Sequence, residues 1–323
     1  GHEDLAVVMA YQLLGKTGIT VSALGIGTGG PSRVGLRTGG DQAQAQRIIR
    51  TALDYGVNFI DTAEAYGTEE TTGAALVGLP RRELVISTKI STWEEMTAAD
   101  VEQKVDDRLR ALGTDYIDIL HLHAVIIEDY RRVYDELVPG LLRCKEKGKI
   151  RCLGLTERFN ADPSHKMLSR ALQDEVWDVV MVGYNVLNQS ARETLFPQLL
   201  THGTGVLDMF AVRLALSKPD RLRAVVDELL RTGAVSREEL RAAGGTPEDP
   251  LGWVLRESDA QTLPEAAYRF VRHEEAVHVT LSGTGSVDHL LQNIEAVQLP
   301  PLDQAVTEKL RYLFRNVNGI TGQ

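Results

Sequence analysis

The chain has 323 residues, which is enough for one large α/β barrel or for two ordinary domains with a sizeable core. Its formal net charge of -10 argues against a nucleic-acid surface, because phosphate binding needs a concentrated excess of Lys and Arg. No stretch approaches the length of uncharged apolar sequence that a membrane span requires. The composition therefore favours small-molecule partners over nucleic acids and membranes.

Cysteine usage and the N-terminus bear on the compartment and on processing. Only Cys144 and Cys152 are present, too few for a disulfide framework or a Cys-rich zinc site. This usage is typical of a reducing cytoplasm, which is the predicted location. Gly1-His2 resembles the remnant of a cleaved tag, and residues 1–10 are predicted to be such a remnant or disordered.

Short β-branched runs alternate with longer amphipathic segments along the chain. YQLLGKTGITVS predicts a hairpin that turns at residues 16–18 and closes the bottom of a barrel. Eight strand-like runs then cover residues 23–27, 57–61, 84–89, 116–123, 150–156, 178–182, 205–210 and 277–281. Helix candidates cover residues 41–55, 98–112, 129–147, 163–173, 190–202, 264–272 and 287–297. Repeated βα units of this number predict one α/β domain over residues 1–323, a closed parallel (β/α)8 TIM barrel.

The regular rhythm breaks at residues 213–263, after the seventh strand-like run. The stretch contains GGTPEDPLG and short helical patches. An insertion at this point lies on the C-terminal face, where barrel active sites occur, so it is a candidate lid or substrate loop. Specificity is expected to reside there and in loops 31–40 and 126–130.

Four side chains capable of acid–base chemistry end strand-like runs or closely follow them: Asp61, Tyr66, Lys89 and His123. Reversible proton transfer to a carbonyl oxygen needs this set, because an ammonium favours phenolate, an imidazole polarises the carbonyl and a carboxylate holds the ammonium. Singly, each has an ordinary structural interpretation: a strand-end cap, a loop aromatic, a surface charge and a satisfied polar residue. Jointly they indicate carbonyl reduction or alcohol oxidation.

Three further motifs each have two interpretations. The glycines of residues 25–30 match the letters of the dinucleotide fingerprint GxGxxG, but PSRVGLRTGG cannot form the required helix, so a loop over the substrate pocket is favoured. His121 and His123 share one strand face, as in barrel metal hydrolases. However, only Asp61 is an evident third ligand, so no metal is predicted and His121 is expected one layer below His123. LSGTGSVDHLLQN, residues 281–293, is either a phosphate-binding turn before a helix or a plain βα turn.

Five segments occur in one characteristic order along the chain. They are FIDTAEAYG, the strand end at Lys89, LGTDYIDILHLH, KGKIRCLGLTERF, and the final glycine turn with its helix to Asn293. Together they resemble the aldo-keto reductase superfamily from about residue 13 to about residue 297. The resemblance implies a (β/α)8 barrel that binds NADP or NAD in extended form without a Rossmann fold. It implies metal-free hydride transfer to or from an aldehyde, ketone or sugar-like alcohol. Tyr66 would be the general acid/base, Lys89 its partner that favours phenolate, Asp61 the residue paired to Lys89, and His123 the carbonyl-polarising group.

The resemblance also implies a set of cofactor-binding positions: Gly27, Thr28, Asp61, Thr156, Glu157, Met181, Met209, Phe210, Ala211, Arg213, Gly283, Thr284, Gly285, Ser286, His289 and Asn293. Several depart from the family pattern. Thr156-Glu157 replaces the Ser-Asn pair that commonly holds the carboxamide, and Met181 replaces a Gln. Met209 or Phe210 stands where an aromatic ring usually stacks on nicotinamide.

The cofactor's 2′-position is the last departure. Gly285 stands where a basic residue often pairs with the 2′-phosphate of NADP, although Arg213 or Lys218 could compensate. NADP is the family default and NAD is nearly as well supported. A second class of function is a cofactor-binding regulatory or scaffold subunit, which the intact tetrad and the lack of a long N-terminal arm disfavour.

Overall fold

The structure, a computed structural model, describes residues 8–319 and 321–322. An antiparallel hairpin comes first, with β1 at Tyr11–Leu13 and β2 at Thr20–Ser22, as predicted. Three of its side chains, Leu14, Ile19 and Val21, pack into one buried cluster with residues from the barrel strands, including Phe59 and Val279. The hairpin therefore closes the barrel bottom, which confirms the expectation.

Eight parallel strands form a closed barrel in the order β10-β3-β4-β5-β6-β7-β8-β9. Every predicted strand is present, with bounds shifted by at most two residues. The strands are β3 (Leu24–Gly27), β4 (Phe59–Asp61), β5 (Val85–Ile90), β6 (Ile117–Val125), β7 (Ile150–Glu157), β8 (Val179–Gly183), β9 (Gly205–Met209) and β10 (Val279–Ser282). The predicted (β/α)8 TIM barrel is confirmed.

Fourteen α-helices surround the strands in the described part of the chain. They are α1 (Gln42–Asp54), α2 (Glu69–Leu76), α3 (Ala98–Leu112), α4 (Ile127–Glu146), α5 (Lys166–Ala171), α6 (Ser190–Thr194), α7 (Phe196–His202), α8 (Leu214–Ser217), α9 (Pro219–Thr232), α10 (Arg237–Ala243), α11 (Gly252–Arg256), α12 (Leu263–Arg272), α13 (Val287–Gln298) and α14 (Gln304–Leu313). No described helix combines the length and apolar character needed to cross a bilayer.

Several sequence expectations need correction. The predicted helix at residues 190–202 is two helices, α6 and α7, with Pro197 in the first turn of the second. Helix α5 begins only at Lys166, because the Asp162 carboxylate accepts hydrogen bonds from the backbone N–H of Lys166 and Met167. Residues 127–130 are the first turn of α4 rather than a loop.

Of the N-terminal ten residues, the structure describes residues 8–10. Gly1-His2 and the rest of residues 1–7 lie outside the described residues. Met9, however, is only 5% exposed, and the Ala10 N–H donates to Gln298 Oε1 at 2.9 Å. Residues 9 and 10 thus pack on the barrel, in contrast to the expected tag remnant or disorder.

The 213–263 insertion is a helical layer made of α8, α9, α10 and α11. It packs on α12 and α14, and Lys309 of α14 binds Glu257 with an N···O distance of 2.9 Å. Trp253 is buried within the insertion and donates its indole N–H to the Pro250 carbonyl. These contacts make the insertion part of the packed shell, and its first residue, Arg213, lies beside the barrel opening.

Candidate active site

A buried ion pair forms the floor of the barrel opening. Asp61 ends β4, and Lys89 comes from the neighbouring strand β5. Lys89 Nζ lies 2.7 Å from Asp61 Oδ2 and donates to the Thr62 carbonyl at 2.8 Å. Burial alone would lower the pKa of Lys89, but the Coulombic attraction and hydrogen bonds of Asp61 and Tyr66 together outweigh burial, and the pKa is raised. Lys89 is therefore a fixed ammonium at neutral pH.

Below the ion pair, Ser87 and His121 extend the hydrogen-bonded chain. Ser87 Oγ donates to Asp61 Oδ1 at 2.9 Å and lies 2.9 Å from His121 Nε2. Since the single serine proton is used on Asp61, Nε2 of His121 must be the donor to Ser87. Nδ1 is then the bare nitrogen, and it has no partner because it faces the Cα of Gly154, where a Cβ would lie 2.2 Å away. As expected, His121 is a buried residue beneath His123.

Tyr66 lies directly above Lys89. It ends a single 3-10 turn, Glu64–Tyr66, that follows β4. Lys89 Nζ is 4.5 Å from the centroid of the Tyr66 ring, and the His123 ring meets it edge-on with the two centroids 5.7 Å apart. Gly29 makes room for the phenol, because a Cβ there would lie 2.7 Å from the ring carbons. The glycine-rich segment after β3 is thus a wall for Tyr66, and the first helix begins only at Gln42, unlike in a Rossmann unit.

His123 is presented by an irregularity in β6. The register between β6 and β7 shifts between Leu122 and Val125, and Ala124 has a φ of 52°. Thr156 Oγ1 accepts the Ala124 N–H at 2.7 Å and so fixes the bulge. Burial, reinforced by Lys89 and two arginines, lowers the pKa of His123 to about 3. The imidazole is therefore neutral and able to donate one hydrogen bond.

Two expected cofactor ligands on the other side of the opening are already engaged. Glu157, at the position of the family's amide, points toward His165, with Oε1 2.7 Å from Nδ1, and it accepts the Gly183 N–H at 2.8 Å. Thr28 is fully buried and donates its hydroxyl to the Asp61 carbonyl. Both side chains therefore hydrogen-bond to the protein itself, and their contact with a cofactor stays a prediction.

A stack of flat groups stands beside the tetrad. Phe210 has a φ of 68° and is 41% exposed, and its ring lies 5.6 Å from that of Phe159 between centroids. Gly183 allows this arrangement, since a Cβ there would be 2.3 Å from the Phe159 ring. The Arg213 guanidinium covers the Phe210 ring at 4.1 Å, while its Nε and Nη2 are buried without any hydrogen-bond partner. Burial lowers the pKa of Arg213 to about 10.

The other predicted cofactor positions in and after β8 and β9 are apolar. Met181 belongs to the cluster inside the barrel, and Met209 packs against that cluster from above. Ala211 is buried, beside the exposed Phe210. Phe210, rather than Met209, is therefore the partly exposed aromatic ring at this position.

A glycine turn joins β10 to α13. Ser286 caps α13 by accepting the His289 N–H, and Asn293 Nδ2 donates to Ser282 Oγ at 2.9 Å. Thr284 is buried and Gly283 exposed. Gly285 faces loop 31–40, because a Cβ at 285 would lie 2.9 Å from both the Gly35 Cα and the Thr38 hydroxyl. Any side chain at 285 would have to displace that loop.

The ligand set of a metal hydrolase is not assembled. Both oxygens of Asp61 are used, by Lys89 and Ser87, and His121 Nε2 is used by Ser87. Within residues 8–319 and 321–322, no group of three or more His, Cys, Asp and Glu side chains is placed to hold a metal ion.

Sequence reasoning missed several residues at the opening. Arg33 lies over Tyr66, with its guanidinium carbon 5.0 Å from the ring centroid. Phe159 supports Phe210, and Arg158 follows β7 and acts electrostatically on His123. Trp93, 43% exposed, follows β5 beyond Lys89. Only Trp93 carried a sequence signal, a large aromatic in a polar loop just after a catalytic-type strand end.

Together, the barrel and this opening define an NAD(P)-dependent oxidoreductase. The chain belongs to the aldo/keto reductase family, whose family model matches residues 23–313. It is 26% identical to L-galactose dehydrogenase of Arabidopsis thaliana, over 96% of each chain. It is 25% identical to NADH-specific methylglyoxal reductase of Escherichia coli, over 91% of this chain and 95% of that one. The holo form of an aldo-keto reductase from Bacillus halodurans superposes with a TM-score of 0.71 at 25% identity, covering 94% and 96% of the two chains.

Proposed function

We propose that the enzyme interconverts an aldehyde or ketone and the corresponding alcohol, with Tyr66 moving the proton at the substrate oxygen. The observation that carries this proposal is the Tyr66 ring held against a buried ammonium, 4.5 Å from Lys89 Nζ. A cation at that position stabilises the phenolate that remains after proton donation. Asp61 keeps Lys89 charged and in place.

His123 has the second role in this mechanism. As a neutral imidazole in contact with Tyr66, it donates a hydrogen bond to the carbonyl oxygen and polarises it. Because this hydrogen bond occupies one lone pair of the carbonyl oxygen, the other lone pair faces the Tyr66 hydroxyl. Thr156 orients His123 through the Ala124 bulge, and its hydroxyl keeps a proton that it can donate to the carboxamide.

The residues on the opposite side fit a nicotinamide dinucleotide. When bound, that cofactor supplies or accepts the hydride. The partly exposed Phe210 ring supplies an aromatic contact for the nicotinamide, and the Arg213 guanidinium, which lies over that ring, has two unused buried nitrogens suited to a phosphate. Gly283, Gly285 and the N-terminus of α13 offer backbone N–H groups to a second anionic part.

For cofactor choice we infer that NAD is used at least as well as NADP. Gly285 provides no cation, and the first turn of α13 carries the acidic Asp288. A carboxylate there disfavours a 2′-phosphate electrostatically. The similar Escherichia coli methylglyoxal reductase is named as NADH-specific.

We also propose a cytoplasmic location. Cys144 and Cys152 are both free and buried, as expected of thiols in a reducing compartment. The formal charge of -10 supports a small-molecule partner rather than nucleic acid.

The function is tested by following oxidation of NADH and NADPH with a panel of aldehydes, ketones and aldoses, and reduction of NAD and NADP with the corresponding alcohols. Turnover in wild type that is lost in Tyr66→Phe supports the assignment. Binding of either cofactor with no turnover of any panel member would favour the regulatory-subunit alternative instead.

A further inference from the structure

The loop between β3 and α1 holds an arginine over the reacting centre in a strained conformation. Arg33 and Val34 have φ values of 48° and 57°, both in the left-handed region. This region is unfavourable for residues other than glycine, above all for β-branched ones. Val34 is only 1% exposed, so core packing enforces the conformation. Such strain concentrates at functional sites, and here it positions the Arg33 side chain.

The Arg33 guanidinium is only partly satisfied. Nη1 donates to the Gly30 carbonyl at 2.8 Å, while Nε is buried and has no partner. Its carbon lies 5.0 Å from the Tyr66 ring centroid, on the reacting side of the barrel. In the described part of the chain, Arg33 forms no ion pair with a carboxylate. It therefore retains hydrogen-bonding capacity next to the position of the substrate carbonyl.

A second arginine lies at the same end of the barrel. Arg158 follows β7, is exposed, and likewise forms no ion pair among the described residues. After burial, the groups that lower the pKa of His123 are Lys89, Arg158 and Arg33, all of them cations. Lys89 is paired with Asp61, whereas neither arginine is paired with a carboxylate among the described residues, so both guanidinium groups are available to an anionic ligand at the opening.

We propose that Arg33 and Arg158 form an anion-recognition site at the barrel opening and that the preferred substrate is a carbonyl compound that also carries a carboxylate. The proposal rests on the function proposed above and names its substrate class. A guanidinium fork matches the two oxygens of a carboxylate, and such charge-assisted pairs are stronger than neutral hydrogen bonds. Loop 31–40, which carries Arg33, also packs against Gly285, so a role for Arg33 in cofactor binding is the alternative that cofactor titration of each variant excludes.

The test compares two isosteric aldehydes, para-carboxybenzaldehyde and the neutral para-carbamoylbenzaldehyde, together with the corresponding meta pair. kcat/KM is measured at saturating NADH or NADPH for wild type, Arg33→Gln, Arg33→Lys, Arg158→Gln and a control, Arg223→Gln. Arg223 lies on the exposed side of α9, so its removal makes the same charge change away from Arg33 and Tyr66. Fluorescence titration of the cofactor checks that each variant still binds it.

Wild type is expected to prefer the carboxylate of the better-fitting pair about tenfold or more, and Arg33→Gln to lower kcat/KM for that substrate by about 10–100-fold. The neutral amide should change by less than about threefold in Arg33→Gln. Arg33→Lys should recover part of the preference, Arg158→Gln should lose a smaller part, and Arg223→Gln should keep all of it.

Two results would overturn the proposal, and they are distinguishable from failure of the proposed function. Equal turnover of acid and amide by wild type and by Arg33→Gln would remove the anion site while leaving the oxidoreductase intact. Equal loss with both substrates, together with a displaced basic limb of the pH–rate profile, would instead make Arg33 a positioning residue for Tyr66. Absence of wild-type turnover with any carbonyl would overturn the proposed function itself, and this inference with it.

Discussion

The two halves of the barrel opening are built on different principles. On the side of β4, β5 and β6, Asp61, Ser87 and Lys89 satisfy one another through hydrogen bonds of 2.7–2.9 Å. On the side of β9 and β10, Phe210 is exposed and Arg213 keeps two buried nitrogens without partners. The first half is complete before any ligand arrives, and the second has unused binding capacity. We infer that the first half performs proton transfer and the second takes up the cofactor.

The largest expected effect comes from Tyr66→Phe, which removes one hydroxyl and keeps the ring against Lys89. Turnover should fall by about 10²–10⁴-fold, the usual contribution of general acid–base catalysis, with cofactor affinity changed less than about threefold. Steady-state kinetics and fluorescence titration measure the two quantities. Tyr55→Phe, at an exposed tyrosine on the barrel's outer surface, is the control and should leave both unchanged. Turnover near the wild-type level in Tyr66→Phe would exclude the phenol as proton donor.

Asp61→Asn tests whether the first half is held by its own ion pair. The change leaves the Lys89 ammonium buried without a counter-charge, so the free energy of unfolding should drop by about 3 kcal/mol. Adding Lys89→Met should recover much of that loss, because the uncompensated charge is then removed. Urea unfolding of the two single variants and the double variant completes the cycle. Purely additive losses would mean that the two residues stabilise the barrel independently.

Arg213→Met tests the second half. Methionine can still pack on Phe210, but the guanidinium is lost, so cofactor should bind about 10–100-fold more weakly. The unliganded protein should be no less stable, since the removed cation is buried and only partly paired. Isothermal titration and thermal unfolding measure the two effects. Arg223→Met, on the exposed side of α9, is the control. Unchanged affinity together with lost stability would make Arg213 a structural residue.

The smallest effect concerns pH. The unfolded chain protonates His123 below about pH 6.5, whereas the folded protein does so only near its pKa of about 3. Stability is therefore fully present above about pH 6.5 and declines as pH falls through that window. When the pH is lowered from about 7.5 to about 4.5, the free energy of unfolding of His123→Gln should fall by about 2 kcal/mol less than that of wild type, as measured by urea unfolding. His202→Gln, at an exposed site, should behave as wild type. An unaltered slope in His123→Gln would show that the imidazole is not held neutral.

The two halves also differ in how much of their structure could be predicted from the sequence. The strands and the residues at their ends were predictable because a β-branched run and its terminal polar residue are local features. Helix α2 was not predicted because its sequence, EETTGAAL, has no apolar stripe at helical spacing, even though six of its eight residues are buried by tertiary packing. Asp61, Lys89 and His123 needed only the closure of the barrel to come together.

The second half depends on non-local contacts that no sequence pattern records. Glu157 turns to His165, which has a φ of 59° and belongs to a separate loop. Phe210 becomes exposed only because its own backbone is left-handed and because Gly183 admits Phe159 beneath it. Arg33 reaches Tyr66 through two consecutive strained residues. Each of these features is set by tertiary packing against local preference.

The separate roles of the two halves are tested most directly by two measurements on the same preparations of wild type, Tyr66→Phe and Arg213→Met. The first is the dissociation constant of the reduced cofactor. The second is the single-turnover rate at which an aldehyde oxidises that cofactor when the cofactor is saturating. We predict opposite patterns: Tyr66→Phe loses the rate and keeps the affinity, whereas Arg213→Met loses the affinity and keeps the rate. If both variants lose both quantities together, or if Arg213→Met loses only the rate, the two halves do not have the separate roles assigned to them.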